Sequence, residues 1–227
     1  MAEKGNSMDF GQFLAPGTFV DSDSPQVRKF VTQAVANVAD PRSAVLRLYA
    51  VIRDNIVYDP YVDFSNPANF RASGVLSAGR GFCIGKSALL AAGARGLGIP
   101  SRVGFADVRN HLTSPRLYEK IKTDIFLWHS YTELYLSERW VKATPAFDSA
   151  LCERAGLKPL EFDGQNDSLF HAFDRAGRRH MEYLKDHGAF ADVPFDMIQA
   201  EFVRAYPALM RVGGLAGDFK SEITPTD

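Results

Sequence analysis

Gly79-Arg80-Gly81-Phe82-Cys83-Ile84-Gly85-Lys86-Ser87-Ala88-Leu89-Leu90 is the stretch whose reading orders the rest of the chain. Two glycines lead into a run whose later residues are small and apolar, so a buried helix is expected to begin at Cys83. It ends at Gly96-Leu97-Gly98, where glycine accepts the left-handed conformation of a helix C-terminus, and Ile99-Pro100 cannot extend it. The cysteine thus falls in a first helical turn, whose unpaired N–H groups favour thiolate over thiol and pull the pKa below its ordinary value of about 8.5. Gly81 carries no side chain, which leaves room for a substrate backbone, and the N–H of Cys83 itself can face an oxyanion.

Outward from this helix, Ser101 to Val108 alternates apolar and polar residues as a strand does. Ile125 to Leu136 reads as a long strand, Ser137-Glu138-Arg139 turns the chain, and Trp140 to Phe147 returns as the second arm of a hairpin. On the other side, Pro25 follows a run of capping residues and opens a helix bearing Val27, Phe30, Val31, Ala34 and Val38. A second helix follows Asp40-Pro41, with Ala44, Val45, Leu48, Val51, Ile52 and Ile56 at helical spacing, and Tyr58 to Phe70 is a loop. Helices are expected over Asp167 to about His187 and over Phe195 to Met210. The organisation is one domain over residues 1–227: an irregular lead-in to 20, helices, catalytic helix and sheet over 21–150, and a mostly helical extension over 151–227.

Composition narrows the function. The 227 residues are 46% hydrophobic, enough for a sizeable core, and a formal charge of −1 from 26 basic and 27 acidic residues gives no field to gather nucleic acid or anionic lipid. Met1 to Phe10 lack the basic start and apolar run of a signal peptide, and apolar stretches fall short of the roughly 20 residues of a membrane helix, so a cytoplasmic protein with no membrane partner is expected. Two cysteines, Cys83 and Cys152, are too few for a disulfide framework and too far apart for a compact zinc motif. Cys152 reads as packing, and no cofactor or metal is expected.

Of the five histidines, His111, His171, His180 and His187 fall in polar stretches and are expected to be exposed. His129 lies instead inside Ile125-Phe126-Leu127-Trp128-His129-Ser130-Tyr131, where a histidine is either a satisfied core residue or a general base for Cys83. Strand parity offers an acid. If the hairpin turns on Ser137-Glu138, His129 lies opposite Ala146 with Thr144 and Asp148 as diagonal neighbours; if it turns on Glu138-Arg139, His129 lies opposite Asp148. Asp148 in that place holds the imidazole in the tautomer that leaves Nε2 free for the thiol proton. Phe82, Trp128 and Tyr131, with Gly81, are the candidates for lining the substrate cleft, and Tyr58, Asp107, Arg109 and Phe126 are weaker ones.

Three blocks resemble the transglutaminase-like superfamily, a papain-related group of Cys-His-Asp enzymes. Gly79 to Cys83 with Gly98-Ile99-Pro100-Ser101-Arg102-Val103 is similar to G-x-G-x-C followed by G-I-P-A-R. Trp128-His129-Ser130-Tyr131-Thr132-Glu133-Leu134-Tyr135 is similar to H-A-W-x-E-V-Y, and Trp140-Val141-Lys142-Ala143-Thr144-Pro145 to W-V-x-V-D-P. The resemblance implies an α+β fold: a papain/transglutaminase-like core with the cysteine helix packed on an antiparallel sheet carrying His and Asp, plus N-terminal and C-terminal helices. It implies acyl transfer from a peptide or glutaminyl amide through a thioester on Cys83, with His129 as base, hydrolysis favoured over cross-linking to a primary amine, and a peptide or protein as substrate. Where the family carries its acid this chain has Thr144, so Asp148 takes over, Thr144 orients His129 in its place, or the triad is incomplete. The competing reading is a non-catalytic binding module on the same fold.

Overall fold

The computed structural model describes residues 9–111, 113–169, 173–177, 179–210, 214–215 and 217–223. After a short α1 (Gly11–Leu14), α2 (Pro25–Ala34) and α3 (Pro41–Asn55) each begin on proline, and Asp40 accepts hydrogen bonds from the Arg42 and Ser43 amides to cap α3. Strand β1 (Val57–Tyr58), a 3-10 turn (Pro67–Phe70) and α4 (Ala72–Ala78) lead to β2 (Arg80–Gly81). Strands β1 and β2 pair in parallel, Tyr58 beside Gly81, immediately before α5 (Cys83–Gly96). Helix α5 is buried along nearly its whole length and forms the centre of the core. Lys86, fully buried one turn into it, donates to the carbonyls of Arg53 (3.0 Å) and Ile56 (2.6 Å) and so satisfies the C-terminal end of α3.

The sheet follows as β3 (Ser101–Asn110), α6 (Pro115–Ile121), β4 (Ile125–Leu136) and β5 (Arg139–Ala143). Leu136 pairs with Arg139, so the hairpin turns on Ser137-Glu138, the first of the two registers considered; both residues hold positive φ (50° and 65°), as a two-residue type I′ turn requires. Strand β5 then stops at Ala143, before Pro145. Asp148 therefore does not continue the strand but caps α7 (Ser149–Arg154), accepting from the Leu151 amide at 2.9 Å.

Beyond α7 the expectation of a helix from Asp167 to about His187 is overturned. Residues Met181–Phe190 form β6, antiparallel to β3, which completes a four-stranded sheet of order β5-β4-β3-β6. The tail is then not only a helical extension: α8 (Phe195–Ala205) and the single turn α9 (Phe219–Glu222) follow a strand that belongs to the central sheet. Among the described residues no helix is long and apolar enough to cross a membrane.

Candidate active site

Phe82 precedes α5 in extended conformation and places Cys83 at the first helical position, 8% exposed. The sulfur is approached by the amide N–H groups of Ile84, of Cys83 itself and of Ser130, the residue that follows His129 in β4. Cys83 and His129 line one cavity together with Tyr58, Phe82, Phe126 and Trp128.

That Trp128 and His129 both face this cavity needs a reason, since neighbours on a regular strand point to opposite faces. Trp128 has φ +57°, a conformation costly for a bulky side chain, and the β3–β4 register jumps here: Ala106 pairs with His129, but Val108 pairs with Phe126. Two residues of β4 thus oppose Asp107 alone, a β-bulge that re-aims both side chains. Asp107 Oδ1 fastens it by accepting from the Trp128 amide (3.1 Å) while sitting 2.7 Å from His187 Nε2, and the His187 ring stacks on Trp128 at 4.2 Å and 11°. This Asp107-His187-Trp128 set is the part of the site that the sequence hid, because His187 comes from β6, which pairs with β3 at Ala106 and Asp107 through two register shifts.

The electrostatics differ from the sequence expectation. Burial pushes the Cys83 thiol up to about 11, outweighing the three amides that pull it down, so the helix N-terminus does not by itself produce a thiolate. Burial likewise pushes His129 down to about 4. The resting pair is a neutral thiol beside a neutral imidazole. Tyr58 is also raised well above an ordinary phenol, first by burial and then by its proximity to Cys83, which keeps it protonated.

The two candidates for third member lie in different places. Among the described residues His129 Nε2 and Thr144 Oγ1 are both buried without a hydrogen-bond partner, and both residues line one small cavity with Ala146 and Phe147. Thr144 is held by its backbone: its N–H donates to Ser168 O (2.8 Å) and its carbonyl accepts from Tyr49 (3.1 Å). Asp148 does not line that cavity. Its carboxylate is committed to the Leu151 amide and to Lys220 Nζ at 3.6 Å.

Two cleft candidates are likewise placed elsewhere. Gly81 is buried, and a Cβ there would meet Val75 at 3.2 Å, so its bareness serves the contact between β2 and α4 rather than a substrate. Tyr131 lies across Gly104 on the face away from α5, with Lys142 over its ring at 4.8 Å. Phe82, Trp128, Tyr58 and Phe126 do line the cavity, whereas Arg109 pairs with Asp124 and Glu182. Of the histidines expected in solvent, His111 is exposed, near Glu182, whereas His180 is buried, His187 forms the stack described above, and His171 lies outside the described residues. Cys152 is fully buried, with its thiol raised to about 12, as a packing residue is. Both cysteines are free, and no cluster of metal-binding side chains occurs among the described residues.

A family model described as the transglutaminase-like superfamily matches residues 28–145, a span that holds Cys83, His129 and Thr144 and stops short of Asp148. Among solved structures the chain is similar to a candidate cysteine protease from Cytophaga hutchinsonii, at 18% identity and TM-score 0.45 over 78% of this chain and 53% of that one. It is also similar to a candidate protease from Parabacteroides distasonis, at 15% identity and TM-score 0.36 over 55% of this chain and 24% of that one. The chain spans about half the length of the first and a quarter of the second. No curated protein matches it.

Proposed function

The chain belongs to the transglutaminase-like superfamily, and from that premise we propose that it is a cysteine-dependent enzyme that hydrolyses an amide of a peptide or protein through a thioester on Cys83. The observation that carries this reading is the shared cavity of Cys83 and His129, with the Ser130 amide at the sulfur. His129 takes the thiol proton as the sulfur attacks the carbonyl carbon, and the carbonyl oxygen takes up the negative charge beside the Cys83 N–H. The intermediate collapses, the C–N bond breaks, and the imidazolium returns its proton to the departing amine. Water then attacks the thioester while His129 accepts one of its protons, and cleavage of the C–S bond releases the carboxylic acid and restores the thiol. Because Nε2 of His129 is fully buried with no hydrogen-bond partner among the described residues, Nδ1 is the nitrogen we assign to these transfers. Thr144 is the orienting residue in this reading, and Asp148 is left to the capping of α7.

We take residues 1–227 as one catalytic domain, because β6 pairs with β3 and α8 contributes a wall of the cavity. Two free buried thiols suit a reducing compartment such as the cytoplasm. The test is turnover of peptide and glutaminyl amides with and without a primary amine. Hydrolysis that is unaffected by the amine and abolished in Cys83→Ala and His129→Ala supports the reading; amine incorporation assigns cross-linking instead. The neutral pair favours one rival, a binding module that has lost turnover, and equal rates for wild type and Cys83→Ala on every amide would establish it.

A further inference from the structure

The cavity at Cys83 has a composition that says what enters it. Its walls are the rings of Phe64, Phe82, Phe126, Trp128 and Phe202 together with aliphatic side chains of α6, and among the described residues no Asp, Glu, Lys or Arg lines it. Its enclosed volume is about 60 Å³ and it is partly open to solvent, so it admits the end of one ring or branched side chain with the rest left at its mouth. Its polar groups are few. The Tyr206 hydroxyl is already committed, accepting from the Leu127 amide and donating to the Ile125 carbonyl, both at 2.8 Å. His129 and Cys83 belong to the chemistry, which leaves the Tyr58 phenol, gripped edge-on by Phe147 at 4.7 Å and Phe219 at 5.8 Å.

Resting on the catalytic reading above, we propose that the residue supplying the acyl group presents a large apolar side chain, aromatic or branched aliphatic, to this cavity. A glutaminyl carboxamide carries a donor NH2 and an acceptor oxygen, and entering this cavity it would surrender water for a single phenol. A carboxylate or ammonium would enter with no counter-charge. A phenylalanyl or leucyl side chain loses no hydrogen bond and gains the contacts of five rings. The enzyme in this view selects the residue beside the scissile bond by apolar burial and leaves the glutaminyl specificity associated with cross-linking aside.

The test uses the whole chain and N-acetyl arylamides of Phe, Leu, Gln, Glu and Lys, with the Cys83→Ala rate subtracted. The Phe and Leu compounds are expected to exceed Gln by at least about tenfold in kcat/KM, and Glu and Lys by about a hundredfold or more. A Gln, Glu or Lys compound turned over as fast as Phe overturns the proposal. A second readout needs no turnover: N-acetyl-phenylalaninamide is expected to slow alkylation of Cys83 at pH 9 several-fold, while N-acetyl-glutaminamide and N-acetyl-lysinamide leave it unchanged. Equal protection by all three, or by none, overturns the proposal even if no arylamide is cleaved, whereas absence of Cys83-dependent cleavage alone refutes only the catalytic reading. Phe126→Arg, at a half-buried wall position, is expected to transfer the preference from Phe towards Glu, and an unchanged profile counts against the cavity as the acyl-side pocket.

Discussion

At the scale of single residues, Cys83 and His129 share a cavity yet neither carries charge at rest, so reactivity depends on proton transfer during attack rather than on a standing ion pair. Alkylation of Cys83 by iodoacetamide should therefore accelerate with pH from about 8 towards about 11 and stay ahead of Cys152, whose thiol is raised further and fully enclosed. A rate that is flat between pH 5 and 9 would mean a preformed thiolate-imidazolium pair and would refute the neutral one. Thr144 and His129 line one small cavity, so Thr144→Asp places a carboxylate where it can hold the imidazolium. We expect kcat/KM to rise at least about tenfold and the acid limb of the pH-rate profile to move up; no change in either would remove Thr144 from the site. Cys83 and His129 were legible in the sequence because each breaks a local pattern, a thiol at a glycine-led helix start and a histidine in an apolar strand. The acid was not. Parity was projected through Pro145 to Asp148, but the strand ends at Ala143 and Asp148 follows the stronger local preference of an Asp for a helix N-cap.

Elements show the same contest between local pattern and tertiary pairing. The central helix and β4 carry strong signals, caps and alternation, and formed where expected, while the returning arm of the hairpin ends at Ala143 instead of Phe147. Strand β6 gives the opposite signal: Glu182, Lys185 and Asp186 suit a helix surface, but they belong to an edge strand whose middle is exposed and whose charges discourage pairing with another chain. The hairpin turn offers a clean test of backbone strain. Ser137 and Glu138 hold positive φ with side chains ill suited to it, so Ser137→Asn with Glu138→Gly should stabilise the fold by roughly 1–2 kcal/mol with kcat/KM unchanged. A lower urea midpoint in that variant would show that the turn is not of the primed type. The bulge at Trp128 is a different matter, since its conformation serves the site. Asp107→Ala removes the acceptor for both the Trp128 amide and His187, and we expect kcat to fall about tenfold or more at nearly unchanged KM for a small arylamide, with a loss of about 1–3 kcal/mol in urea denaturation. Loss of stability without loss of kcat would separate the bulge from catalysis.

The molecule as a whole integrates its buried titrating groups into one stability curve. His129 is depressed in the fold, from 6.5 to about 4, so the unfolded chain binds the proton first and stability falls as pH drops from about 6.5 to 4, by roughly 3 kcal/mol. Lys86 is depressed from 10.5 to about 7, again because burial disfavours the charged form, so stability rises with pH across the window from about 7 to 10.5. Cys83 and Cys152 are raised from 9.0 to about 11 and 12, so the unfolded chain ionises first and stability falls above about pH 9. Two groups falling outweigh one rising there, which places the maximum near pH 9. Urea midpoints from pH 4 to 11 check this, and a maximum below pH 7 would contradict it.

The cavity is also ordered in time. Cys83 and His129 lie in the middle of the chain, but Phe202 and Tyr206, which close one wall, and His187, which braces Trp128, are synthesised later. A nascent chain on the ribosome thus carries its thiol before it carries the apolar enclosure that silences it. The interval between emergence of β4 and emergence of α8 is the period in which oxidants and electrophiles can reach Cys83 most readily, and completion of synthesis ends it.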